Sequence, residues 1–83
     1  MKLKLLSYVM RSKQRQMILS VLDSPKTPTQ ISQMTKLSTA HVSRTLKEFC
    51  KKNIAKCETP KEKVGRIYIL TRDGKKLLDT FRK

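Results

Sequence analysis

Two helix start signals stand close together in this chain, and no other feature constrains its fold so tightly. The first is Thr27-Pro28-Thr29-Gln30. Thr27 is placed to cap a helix, Pro28 fits the first helical position, and Gln30 completes a capping box. Ile31 and Met34 follow at helical spacing, which predicts a short helix over 28–35. The second start is Ser38. Leu37 before it and Val42 within it form a hydrophobic staple that sets the angle of entry. Asn53 ends this longer helix, because asparagine tolerates the left-handed backbone of a helix stop. Only Lys36-Leu37-Ser38 separates the two helices. A connection so short is the layout of a helix-turn-helix, here over residues 27–52.

The second helix divides sharply between its faces. With Val42 at 0° and about 100° per residue, Leu46, Phe49 and Cys50 lie within ~80° of it. Ala40, Arg44, Lys47 and Lys51 gather on the far side, at about 140–200° by the same period. His41 and Ser43 flank that stripe, and Glu48, the one acid nearby, lies at its edge. A solvated helix usually mixes Glu with Lys to gain i,i+4 pairs. A stripe of small residues followed by cations instead suits a helix laid into the major groove of a duplex.

Downstream, Ile54–Glu58 and Arg66–Leu70 read as two strands, the second rich in β-branched and aromatic residues. Pro60 and Gly65 bracket a charged connection containing Lys61 and Lys63, so the pair forms a hairpin over 54–70 with a projecting basic loop. Thr71 can cap a last helix over 72–82 with Leu77, Leu78 and Phe81 along one face. Upstream, Ser12 can cap a helix over 13–22 whose buried face is Met17, Ile18, Val21 and Leu22. Residues 1–11 form an N-terminal extension. Lys2–Met10 can be a separate helix or a continuation of the next.

Charge sets the class of partner. The 83 residues hold 20 Lys and Arg against 6 Asp and Glu, a net charge of +14. No acid precedes Asp23, and none lies between Ser24 and Lys47. A soluble small domain manages with a net charge of about 2–8, so an excess this large points to a polyanion. Apolar residues make up 37 % of the chain, enough for one domain, 1–83, with a thin core.

The same reading excludes other chemistries. The longest uncharged apolar stretch, Gln16–Leu22, is far short of the ~20 residues of a membrane span. Leu5–Met10 is too short for a signal-peptide core and lacks a cleavage pattern. Cys50 and Cys57 have neither metal-ligand nor disulfide-framework spacing, so the expected compartment is the cytoplasm. A zinc site of His41, Cys50 and Cys57 would lack a fourth ligand. Ser43, His41 and Asp23 make no triad, since residues two apart on a helix do not face each other. Neither an enzyme nor a cofactor is expected.

The element order, with ISQMTKLSTAHVSRTLKEF at 31–49, Asn53-Ile54, and GRIYILTRDG at 65–74, resembles a winged helix-turn-helix of the MarR/ArsR-like transcriptional regulators of archaea and bacteria. The similarity covers residues 12–82. It implies an α+β, mainly helical fold: a three-helix core, a two-stranded wing hairpin and a C-terminal helix. It implies that Ser38, Thr39, Ala40, His41, Ser43, Arg44 and Lys47 face double-stranded DNA. Lys51 joins them by its place on the stripe. Lys61, Lys63 and Arg66 would lie in or at the base of the wing. Family members commonly have Gly where Lys36 and Asn53 stand. Metal sensors of the ArsR type carry clustered cysteines in the first helix of the motif; residues 28–35 have none, so metal sensing does not transfer.

The expected function is therefore sequence-specific binding of double-stranded DNA in transcriptional regulation. The rival is a winged helix serving as a protein- or RNA-interaction module in a larger complex. Leu3, Leu6, Val9 and Met10 at one end, and Leu77, Leu78 and Phe81 at the other, read as apolar stripes left over from the core. They predict a homodimer paired through its terminal helices, as the resembling families commonly form.

Overall fold

The computed structural model describes residues 3–82. In chain order the elements are α1 (Leu3–Met10), α2 (Lys13–Val21), α3 (Pro28–Thr35), α4 (Thr39–Lys51), β1 (Ala55–Cys57), β2 (Tyr68–Leu70) and α5 (Arg72–Arg82). The expected plan of helices, hairpin and final helix is what forms. The start signals act as the sequence implies. Thr27 and Gln30 close the capping box in both directions, at 3.2 and 2.8 Å. Ser12 accepts from the Arg15 amide and Ser38 from the His41 amide. Thr71 Oγ1 accepts from the Gly74 amide at 3.0 Å and so caps α5. Ser12 is extended, with φ −139°, which separates α1 from α2 as two helices. Lys2 lies outside the described residues.

The turn between α3 and α4 passes through Lys36 in the left-handed conformation, φ 65°. A side chain there costs about 1–2 kcal/mol relative to ordinary helical backbone. Hydrogen bonds around the turn offset that cost. Ser32 Oγ donates to the Leu37 carbonyl, Thr35 Oγ1 donates to the Ile31 carbonyl, and the Leu37 amide donates back to Thr35 Oγ1. Asn53, after α4, is also left-handed at φ 60°, as expected of a helix stop.

The hairpin pairs Ala55 with Leu70, Lys56 with Ile69 and Cys57 with Tyr68, antiparallel. Both regular strands are shorter than the sequence predicts. Backbone bonds nevertheless continue beyond them, from the Thr71 amide to the Ile54 carbonyl and from the Glu58 amide to the Ile67 carbonyl. On the other side of β2, Lys26 and Tyr68 exchange two backbone hydrogen bonds. That bridge ties the connection before α3 to the hairpin, a link no local pattern indicates.

One apolar cluster holds the elements together. Val9, Ile18, Leu19, Leu22, Ile31, Val42, Leu46, Phe49, Ile54, Tyr68, Leu70, Leu77 and Leu78 are all buried in it. Fully burying a side chain of this kind contributes about 1.5–3 kcal/mol. Two expectations about the core need correction. Met17, and Met34 whose spacing with Ile31 reads as a core position, are 40 % and 56 % exposed, because α2 turns Ile18 and Leu19 inward, with Leu22 buried just after it, and α3 presents Ile31 and Thr35. The terminal stripes are also not left over. Val9, Leu77 and Leu78 enter the common core, and Leu5, Leu6 and Phe81 pack against it. On α1 only Leu3 and Met10 remain as exposed large apolar side chains.

Candidate nucleic-acid interface

Helix α4 buries Val42, Thr45, Leu46 and Phe49, which fixes the face it turns outward. Thr39, Ala40, Arg44, Lys47 and Lys51 are exposed, while His41 and Ser43 are half-buried beside them. Ser38 is exposed and its hydroxyl serves as the helix cap, 3.1 Å from the His41 amide. The start of α4 thus presents small polar groups at the positive end of a helix dipole, and its later turns present cations. Among the described residues, Arg44, Lys47 and Lys51 enter no ion pair.

The connection between the strands is a braced loop. The Glu62 amide donates to the Thr59 carbonyl, and the Ile67 amide donates to Thr59 Oγ1 at 3.0 Å. Gly65 takes φ 71°, with open space around it. Lys61, Lys63 and Val64 stand out from this loop, Val64 at 88 % exposure. Arg66 differs from the lysines: it is half-buried, and its Nε donates to the Glu62 carbonyl across the turn. The hairpin follows α4 directly, with the Ile54 amide donating to the Phe49 carbonyl.

A second group of residues at α4 is invisible in the sequence. Tyr8 of α1 donates its hydroxyl proton to Glu48 Oε1 at 2.6 Å, across 40 residues of chain. Arg15 of α2 lies over the Tyr8 ring, 3.9 Å from its centre, and donates to the Tyr8 carbonyl at 2.8 Å. The Lys52 ammonium approaches the same ring at 4.6 Å, and Phe49 meets it edge-on at 6.3 Å. Arg15 Nη2 is also 3.9 Å from Glu48 Oε1. Burial, and then the hydrogen bond and negative charge of Glu48, hold the Tyr8 hydroxyl well above its ordinary pKa. Burial, with Cys57 nearby, likewise pushes up the Cys50 thiol.

Among the described residues no group of three or more His, Cys, Asp and Glu could hold a metal ion, and no helix is long and apolar enough to cross a membrane. No protein-family profile and no curated protein sequence matches the chain. Solved structures do. The reduced form of the transcriptional regulator YodB from B. subtilis is 29 % identical, with a TM-score of 0.75 over 99 % of this chain and 85 % of that one. A MarR family transcriptional regulator from Silicibacter pomeroyi DSS is 23 % identical, with a TM-score of 0.74 over 95 % of this chain.

The fold is a MarR-like winged helix.

A predicted DNA-binding transcriptional regulator from E. coli, 20 % identical, shares it at a TM-score of 0.74, covering 95 % of this chain and 84 % of that one. The winged helix spans 55 % and 59 % of the length of two of the MarR-family regulators it matches. Within it α3 and α4 are the helix-turn-helix, and the loop between β1 and β2 is the wing. The expected fold class holds throughout.

Proposed function

We propose that this winged helix binds double-stranded DNA sequence-specifically and regulates transcription. The observation that carries this reading is the outer face of α4, where Arg44, Lys47 and Lys51 are exposed and enter no ion pair among the described residues, while the opposite face is locked into the core. Ser38, Thr39, Ala40, His41 and Ser43 approach base edges and backbone at the start of the helix. Arg44 makes a two-pronged contact to a guanine, and Lys47 and Lys51 reach phosphates. Lys61 and Lys63 of the wing clamp an adjacent stretch of backbone. Arg66 contributes mainly by bracing the wing turn. Solved neighbours described as transcriptional regulators support the same reading.

Two copies pair through the terminal helices, which set two reading helices about one DNA turn apart on a palindromic site. α1 and α5 pack against each other within one chain, and Leu3 and Met10 supply apolar surface beyond the core. Equilibrium sedimentation at tens of micromolar tests this pairing, and a monomer there refutes it.

Titration of a duplex at several ionic strengths tests binding. If about six phosphates are neutralised, log K falls against log salt with a slope near −5. Affinity indifferent to salt, or no duplex binding at low salt, overturns the reading. A random duplex pool that yields no preferred sequence overturns its specificity.

A further inference from the structure

Glu48 is the one acidic side chain on α4, and it sits one turn beyond Arg44 and one turn before Lys52. Residues four apart on a helix are neighbours, and opposite charges at that spacing attract. A free Glu48 carboxylate would therefore pair with one of them. It does neither. Its Oε1 accepts the Tyr8 hydroxyl at 2.6 Å, with Arg15 Nη2 3.9 Å away. Lys52 is turned onto the Tyr8 ring. Among the described residues Arg44 stays exposed and without an ion pair.

We propose that Tyr8 is a positioning residue for Arg44: with Arg15 it draws Glu48 towards α1 and leaves the arginine free for DNA. The inference rests on the DNA-binding reading and adds a residue that never touches the duplex. The geometry suits the task. Tyr8 is gripped by its carbonyl, its ring and its hydroxyl, through Arg15, Phe49, Lys52 and Glu48. The hydroxyl is the donor in this bond, 2.6 Å from Glu48 Oε1. A carboxylate left loose beside the outer stripe would also repel the phosphates that Lys47 and Lys51 serve.

Tyr8→Phe removes the hydroxyl and keeps the ring. It should weaken duplex binding roughly 3- to 10-fold, less than deleting a two-pronged arginine contact outright. Tyr8→Phe combined with Glu48→Gln should restore wild-type affinity, because no carboxylate remains to capture Arg44. Glu48→Gln alone leaves the α1 anchor in place and should bind no more weakly than wild type. In the free protein, the Arg44 Nε–H resonance should move in Tyr8→Phe and return in the double variant. A purely structural Tyr8 predicts that the double variant stays as weak as Tyr8→Phe, and that result overturns the inference. Unchanged affinity in Tyr8→Phe, a weaker Glu48→Gln, or an Arg44 resonance indifferent to Tyr8 overturns it equally. Absence of duplex binding by the wild type would instead remove the DNA-binding reading, and the role of Tyr8 in it. The Arg44 resonance reports on the pairing itself, with no DNA present.

Discussion

Gly74 lies so close to Ile54 that a Cβ built on it would stand 1.9 Å from the Ile54 carbonyl oxygen. That oxygen already accepts the Thr71 amide at 3.0 Å and lies 3.2 Å from Thr71 Oγ1, so it is not free to move aside. The close approach lets the first turn of α5 lie against the end of α4, where Thr71 Oγ1 donates to the Asn53 carbonyl and Asn53 Nδ2 donates to Asp73. Gly74→Ala should therefore cost about 3 kcal/mol or more, at the upper end of what overpacking a well-filled site costs. Urea denaturation of the two proteins measures it, and equal midpoints would contradict the clash.

Lys36 predicts the opposite sign. Its left-handed backbone is disfavoured for a side chain by about 1–2 kcal/mol, and glycine regains most of that while losing some to its greater unfolded freedom. Lys36→Gly should stabilise the protein by roughly 0.5–1 kcal/mol by the same balance. The Lys36 side chain is exposed, so no packing is lost. A thermal melt suffices, and a lower midpoint would mean that the turn relies on the lysine itself.

Arg44 and the wing lysines should separate specificity from affinity. Arg44→Ala is expected to lose about 1–3 kcal/mol and to relax preference at one base pair. Lys61→Ala or Lys63→Ala should weaken all duplexes alike and reduce the steepness of the salt dependence. Binding-site selection with each variant decides. Wing variants that reshape the site, with an Arg44 variant that preserves it, would reverse the assigned roles.

Alkaline pH should destabilise the fold through Tyr8. Its folded pKa is raised above the ordinary 10.0, so the native state keeps a proton that the unfolded chain has lost. Stability from this group is complete below pH 10 and declines as pH rises above it. Cys50 acts in the same direction from its ordinary value of 9.0. Urea midpoints across pH 8–11 should thus fall less steeply in Tyr8→Phe than in wild type. Parallel curves would show that the hydroxyl ionises alike in both states.

What the sequence determined by itself was local. Thr27, Ser38, Ser12 and Thr71 could be placed as caps because a cap acts on amides within three residues of it, and all four serve as such. The outer stripe of α4 was legible because its period is a property of one helix, so Ala40, Arg44, Lys47 and Lys51 emerged exposed together. Tertiary packing decided the rest. Which face of α2 turns inward depended on neighbours far along the chain, and it put Leu19 in the core and Met17 outside. Whether the terminal stripes were spare depended on α1 and α5 meeting the same cluster, which Val9 and Leu77 show they do. The Lys26–Tyr68 bridge, the Gly74–Ile54 approach and the Tyr8–Glu48 hydrogen bond join residues between 20 and 42 positions apart. Contacts at that separation exist only once the core has closed, since it is burial that brings the partners together, and no local propensity carries their signature.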